Sequence, residues 1–65
     1  MAPTEIEQAL IDGLEVFKVR RGISAHIFLL LNGEEQYLEM IHYMLEHRDA
    51  TGEELLEQAR KIAAK

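Results

Sequence analysis

The sequence predicts an all-α protein, a small domain of four helices that we expect to assemble as a helical homodimer. Apolar residues recur at helical spacing along three segments, and a residue that commonly caps helices stands at the start of each of those segments. Of the 65 residues, 48% are hydrophobic and 29% are charged, which is ordinary globular composition. We therefore predict one helical domain over residues 1–65, with enough apolar surface to offset the entropy of folding.

Three capping boxes mark the predicted starts of the first, third and fourth helices. Each places a side-chain acceptor three positions before a glutamate: Thr4 with Glu7, Asn32 with Glu35, and Thr51 with Glu54. In such a box the first side chain accepts a hydrogen bond from a free backbone N–H, and the glutamate bonds back to the N–H of the cap. Carboxylates in a first turn also favour the positive end of the helix dipole.

The first helix is predicted from about Glu5 to Val19. Its apolar face comprises Ile6, Ala9, Leu10, Gly13, Leu14 and Phe17. Gly13 lies inside this face, where glycine weakens a helix, so we expect a neighbouring helix to cross closely there. Gly22, after the cations Arg20 and Arg21, is the predicted C-cap.

The second helix is predicted from Ser24 to Leu31, and it is apolar on nearly every side. A short element without a polar face is expected to be buried. Asn32-Gly33 follows, and this dipeptide is also a strong hairpin signal, so a hairpin pairing residues 26–31 with 34–40 stays open as an alternative. We favour the helix, because the next residues, 34–36, are poor strand formers.

The third helix is predicted from about Gly33 to His47 and the fourth from Gly52 to Ala64. In the fourth helix one face is apolar and the opposite face is charged. The predicted core residues are Leu55, Leu56, Ala59, Ile62 and Ala63, and the predicted outer residues are Glu53, Glu57, Arg60 and Lys61. This two-sided pattern is typical of a helix that covers a core.

The third helix has three stripes on a helical wheel. Leu38, Ile41 and Leu45 form the predicted core face; Glu35, Glu39, His42 and Glu46 form an acidic stripe; Tyr37, Met40, Tyr43, Met44 and His47 form a second apolar face. Few elements remain to cover that second face, and Tyr and Met are enriched at interfaces. We therefore predict a homodimer interface made by Tyr37, Met40, Tyr43 and Met44. The alternative is that the whole segment is the central core helix of a monomer.

Composition excludes several function classes. Cysteine is absent, which excludes disulfides and thiolate metal sites. The net charge of −5 disfavours nucleic-acid binding, and the only basic cluster is Lys18, Arg20 and Arg21. The longest apolar run, Ile27–Leu31, is too short to span a membrane, and no signal-peptide pattern is present, so we expect a cytoplasmic protein. No catalytic or cofactor-binding pattern occurs, and we expect neither enzymatic activity nor a cofactor.

The predicted function is that of a small, non-enzymatic protein-interaction or regulatory module that acts through an apolar helix face. Its partner would be a second copy of the chain or another protein. The alternative is a helix-turn-helix DNA-binding regulator, in which the third helix would follow the second after a short turn. Glu34 and Glu35 at the start of that recognition helix would be repelled by DNA phosphates.

A more remote alternative is a helical dimer that binds two metal ions. Glu39 and His42 have the Glu-x-x-His spacing of di-metal helix bundles. The site would need the same pair from a second copy and bridging carboxylates such as Glu35, Glu46 or Glu15. A solvated acidic face explains the same residues, and we assign no metal ligand.

Overall fold

Four helices follow one another in the computed structural model, which describes residues 4–65. They are α1 (Glu5–Val16), α2 (Arg21–Leu30), α3 (Glu34–Glu46) and α4 (Gly52–Ala63). No strand occurs in these residues, so the all-α prediction is confirmed and the alternative hairpin at Asn32-Gly33 is wrong. Residues 1–3, part of the segment that we analysed for a signal peptide, lie outside the described residues.

The helices pack in pairs that share a common core. α1 packs against α3, α2 packs against α4, and α3 also packs against α4. The radius of gyration is 10.5 Å, close to the value of about 11 Å expected for a compact chain of this length. None of these four helices combines the length and the apolar character that crossing a bilayer requires.

Two of the three predicted caps form. Thr51 makes a complete capping box: its Oγ1 accepts a hydrogen bond from the backbone N–H of Glu54 at 3.2 Å, and Glu54 Oε1 accepts from the N–H of Thr51 at 3.1 Å. At α1 the Oγ1 of Thr4 accepts from the N–H of Glu7 at 3.2 Å. These bonds satisfy backbone donors that a helix leaves free in its first turn.

The predicted capping box of Asn32 with Glu35 is wrong. The N-cap of α3 is Gly33, whose φ of 93° is open to glycine and strained for other residues. The cap is therefore one residue later than predicted, which places Gln36 at the third helical position. Gln36 Oε1 accepts a hydrogen bond from the backbone N–H of Asn32 at 2.7 Å. Gln36 thus makes the bond that the predicted box assigned to Glu35.

α1 ends at Val16, three residues before its predicted end, because the chain turns at Lys18. Lys18 has a φ of 58°, in the left-handed region. The N–H of Val19 donates to the carbonyl of Leu14 at 3.0 Å, and the N–H of Lys18 donates to the carbonyl of Glu15 at 2.9 Å. This pair of bonds is a Schellman motif, which closes the helix with Lys18 in the position that glycine most often occupies.

The predicted C-cap at Gly22 is consequently wrong. α2 begins at Arg21, three residues earlier than predicted, and Gly22 lies in its first turn. The prediction that α2 is buried is also wrong in part. Ile27 is fully buried, but Leu29 is 84% exposed, because α2 packs mainly against α4 and one neighbour covers only one of its faces.

The core faces of α1 and α4 are largely as predicted. The buried residues of the described chain are all apolar: Leu10, Leu14, Ile27, Leu31, Met40, Met44, Leu55, Ala59 and Ile62. Ala9 is the exception on the predicted face of α1, since it is exposed. Gly13 lies against α3, because a Cβ atom there would lie 2.9 Å from Met44 Cε. The end of the Met44 side chain therefore occupies the space that a side chain at position 13 would need.

The core face predicted for α3 is wrong at two of its three residues. Leu38 and Leu45 are 41% and 57% exposed, whereas Met40 and Met44 are 0% and 4% exposed. Both neighbours of α3, α1 and α4, lie on its methionine side, and the flexible Met44 side chain fills the space beside Gly13. Ile41, the third residue of the predicted core face, is half-buried and packs against the core, so the prediction fails at Leu38 and Leu45.

The predicted interface of Tyr37, Met40, Tyr43 and Met44 needs revision for the same reason. The two methionines belong to the core of the chain itself, and a second copy would have to unpack α3 to reach them. The tyrosines are half-buried. Tyr37 lies 5.7 Å, centroid to centroid, from the ring of Phe28. Tyr43 stacks on His47 at 4.1 Å.

Candidate interaction site

An apolar groove runs between α1 and α3 and has a volume of about 340 Å³. We call it the α1–α3 groove. Its walls are Ala9 and Val16 of α1 with Ile41 and Leu45 of α3, together with Phe17 and Arg48, which follow the ends of these two helices. Gly13 and Met44 form its floor. The groove is therefore built where the two helices cross, and every lining residue except Arg48 is apolar or glycine.

The spacing of small and large residues produces this shape. Ala9, Gly13 and Val16 recur on one side of α1, and the two smaller residues leave a trough beside α3. Val16 and Leu45 stand on the two walls and are 77% and 57% exposed. Leu38 lies on the same stripe of α3, so the apolar surface continues beyond the groove.

The exposed apolar residues are concentrated on this side of the molecule. Four large hydrophobic side chains are exposed in the described chain: Val16, Leu29, Leu38 and Leu45. Leu29 lies alone on α2, whereas the other three border the α1–α3 groove or continue its stripe. Single exposed apolar residues are normal in soluble proteins, but a contiguous apolar patch is typical of a binding surface.

Charged side chains border the patch. Arg48 lies at one end of the groove, is exposed, and makes no salt bridge within residues 4–65. Asp12 lies next to the apolar stripe of α1, also exposed, and accepts a hydrogen bond from Gln8 Nε2 at 2.9 Å. An apolar centre with a charged rim is the usual composition of a protein–protein interface.

The acidic stripe of α3 is exposed along its whole length. Glu35, Glu39, His42 and Glu46 all face solvent. Glu39 Oε2 accepts from Lys65 Nζ at 2.8 Å, which ties this stripe to the end of the chain after α4. No group of three or more histidine and carboxylate side chains in residues 4–65 is placed to hold a metal ion.

The basic cluster lies at the connection between α1 and α2. Lys18, Arg20 and Arg21 are all exposed, and none of them makes a salt bridge within the described residues. Glu34 and Glu35 at the start of α3 are exposed as well. The structure thus places the cations at the N-terminus of α2 and the acids beyond its C-terminus, about 15 Å of helix apart.

Sequence reasoning missed the α1–α3 groove because it assigned Leu38, Ile41 and Leu45 to the core. One signal for it was present. Ala9 and Gly13 interrupt the apolar face of α1 with small residues, and a face of small residues beside an exposed valine leaves a trough when another helix crosses it.

Comparison of the chain with protein-family models, with curated proteins and with solved structures finds no match.

Proposed function

We propose that this chain is a non-enzymatic protein-interaction module that forms a homodimer through the α1–α3 groove. The observation that carries the proposal is the contiguous apolar surface around Val16, Ile41 and Leu45, which the folded chain leaves open. The proposed interface lies on the face of α3 that contains Leu38, Ile41 and Leu45, next to Met44, which forms part of the groove floor. α3 has two apolar faces, and the single chain leaves this one largely uncovered.

The charges at the rim of the groove are of opposite sign, so two copies of the chain can pair them across a two-fold contact. In a two-fold contact the same patch meets itself, so every favourable pair occurs twice. Val16 and Leu45 of one copy can lie in the trough above Gly13 of the other. Arg48, which makes no salt bridge within residues 4–65, can then approach Asp12 of the second copy at the rim. Such rim charges set the orientation of a contact more than its affinity.

The expected affinity is moderate. Full burial of a Val or Leu side chain stabilises a contact by roughly 1.5–3 kcal/mol, and Val16, Leu38 and Leu45 are each partly exposed in the single chain. Two copies contribute six such side chains, while association costs about 4–15 kcal/mol in lost freedom. We therefore expect a Kd of about 1–100 μM, in which dimerisation responds to the concentration of the chain.

The test is the molar mass of three variants in solution, measured by light scattering during gel filtration. Val16→Glu and Leu45→Glu place a carboxylate in the groove and should leave a monomer with unchanged helical circular dichroism, because both side chains are exposed in the single chain. Leu29→Glu is the matched control, since Leu29 is the most exposed of the large apolar residues and lies outside the groove. If Leu29→Glu dissociates the dimer as well as Val16→Glu does, the groove is not the interface.

The helix-turn-helix alternative has less support. α2 and α3 follow in the required order, but α3 opens with the exposed Glu34 and Glu35, which DNA phosphates would repel. A DNA-binding protein should shift duplex DNA in a gel at low salt, and the shift should weaken steeply as salt is added. We expect no shift of duplex DNA at low salt.

The di-metal alternative requires two copies to bring their acidic stripes together. The proposed contact uses a different face of α3, and Glu39 is already bonded to Lys65. We expect the purified protein to hold well below one iron or manganese ion per dimer by elemental analysis. Stoichiometric metal that is lost in Glu39→Ala would support the alternative instead.

A further inference from the structure

Lys18 has an unusual backbone conformation for a lysine. It is the only non-glycine residue with a positive φ, 58°, in the part of the chain that the structure describes. It closes α1 in the Schellman position, where glycine is favoured because it has no Cβ to clash with the backbone. A positive charge near the C-terminus of a helix offsets part of this cost. The side chain of Lys18 is exposed and makes no hydrogen bond or salt bridge within residues 4–65.

A second groove lies beside this lysine, between α1 and α2. We call it the α1–α2 groove. It has a volume of about 460 Å³, and its lining includes Ile11, Glu15, Lys18, Arg21, Ser24 and Phe28. Ile11 and Phe28 are half-buried and offer an apolar floor, whereas Lys18 and Arg21 are exposed at the rim. Apolar and cationic groups therefore meet in one concave surface.

The charges of this groove contrast with those of the whole chain. The chain has a net charge of −5, yet Lys18 and Arg21 line this groove, and Arg20 adjoins Arg21 in the sequence. None of these three cations makes a salt bridge in the part of the chain that the structure describes. Glu15 is the one acid among the lining residues, so the lining contains two cations and one carboxylate. A compact group of three cations fits a few carboxylates, and it is too small to follow the phosphate backbone of a nucleic acid, which rewards extended basic surfaces.

We propose that the α1–α2 groove binds an acidic segment of another protein. Carboxylates of that segment pair with Lys18 and Arg21, and an apolar side chain next to them packs against Ile11 and Phe28. Arginine suits this role because its guanidinium can hold a carboxylate through two hydrogen bonds. Binding would then give a reason for a lysine at position 18, where the backbone conformation alone favours glycine.

This site is independent of the proposed dimer. α1 contributes Ile11 and Glu15 to the α1–α2 groove, whereas it contributes Ala9 and Val16 to the α1–α3 groove. At about 100° per residue, Ile11 and Ala9 lie on opposite sides of α1. A dimer formed through the α1–α3 groove would therefore leave the α1–α2 groove open in each copy.

The test uses three labelled peptides and fluorescence anisotropy at low salt. Each peptide has twelve residues, in which a Leu-Glu-Glu unit, a Leu-Gln-Gln unit or a Leu-Lys-Lys unit is repeated four times. The Glu peptide should bind at least tenfold more tightly than the other two, and its binding should weaken as salt screens the charges. Equal affinity of the Glu and Gln peptides, or no binding of the Glu peptide, would overturn the proposal. Tighter binding of a twelve-residue oligothymidine than of the Glu peptide would overturn it as well, in favour of nucleic acid.

Variants separate binding from a structural role of the lysine. Lys18→Gly should weaken binding of the Glu peptide at least tenfold while it raises Tm, because glycine relieves the backbone at this position. Arg21→Gln should weaken binding to a similar extent. Lys61→Gln, which removes an exposed cation from α4, is the control and should bind as the wild type does. If Lys18→Gly raises Tm and binds the peptide normally, the lysine has no part in binding and the site is wrongly assigned.

Discussion

Two glycines that look alike in the sequence have opposite roles in the structure. Gly33 caps α3 with a φ of 93°, and Gly22 lies in the first turn of α2 in a conformation open to any residue. A Cβ atom at either position would meet no neighbour within 4 Å, so packing does not distinguish them. Only the backbone does, because the conformation at Gly33 is essentially restricted to glycine.

Substitution of these two glycines by alanine should therefore change stability in opposite directions. Gly33→Ala should lower the free energy of unfolding by about 1–3 kcal/mol, the cost of a strained backbone. Gly22→Ala should raise it by up to about 1 kcal/mol, since alanine restricts the unfolded chain and favours the helix. Urea denaturation followed by circular dichroism measures both. A Gly33→Ala variant as stable as the wild type would show that the turn before α3 has another conformation.

At the scale of single helices, the sequence and the structure assign the capping hydrogen bonds to different residues. The sequence gives Asn32 and Thr51 the same capping role, whereas the structure gives the bonds to Thr51 and to Gln36. Gln36 also donates through Nε2 to the carbonyl of Ile62 at 3.3 Å, which joins α3 to the end of α4.

Alanine substitutions distinguish the two assignments. Thr51→Ala should cost about 1 kcal/mol of stability, as the loss of an N-cap usually does. Gln36→Ala should cost about 0.5–1.5 kcal/mol, because it removes hydrogen bonds at both ends of the amide. Asn32→Ala should change stability by less than about 0.5 kcal/mol. Thermal or urea unfolding of the three variants provides the measurement, and an Asn32→Ala cost equal to that of Thr51→Ala would restore the capping box at Asn32.

Periodicity and caps predicted the existence and order of all four helices, and the start of α4 at Gly52 to the residue. The C-terminal end of α1 and the start of α2 could not be predicted in this way. Gly22 is a residue at which a helix could end, but the chain turns four residues earlier, at Lys18. Lysine is rarely found in the left-handed region, so the sequence gives no sign of this turn.

The faces of α3 show a second limit of sequence reasoning. Leucine and isoleucine on one side and methionine and tyrosine on the other are both apolar, so the helical wheel identifies two faces that need cover and does not rank them. Packing decided between them, since the gap at Gly13 suits the long, flexible Met44 side chain. Because the methionine face is buried, Leu38 and Leu45 stay exposed beside the α1–α3 groove, and only the tertiary structure shows this.

For the whole molecule, the main feature of the structure is an apolar surface that a single folded chain leaves exposed. Four helices supply three packed pairs, and α1 and α3 both remain open along the side that contains Val16 and Leu45. A chain of this size buries a smaller fraction of its surface on folding than a larger domain does, so association is a common way to complete its core. We expect dimer formation to raise the stability of the chain, and Tm should increase with protein concentration.

Methyl NMR during dilution tests the proposed dimer most directly, because it reports both association and its location. As the protein is diluted from millimolar to low micromolar concentration, we predict that the methyl resonances of Val16, Ile41 and Leu45 shift together, and that those of Ile41 and Leu45 move toward the positions they have in Val16→Glu. The methyl resonances of Leu29 should stay unchanged, since that side chain is exposed on a different helix. Resonances that do not depend on concentration, or shifts confined to Leu29 and its neighbours on α2, would contradict a dimer formed through the α1–α3 groove.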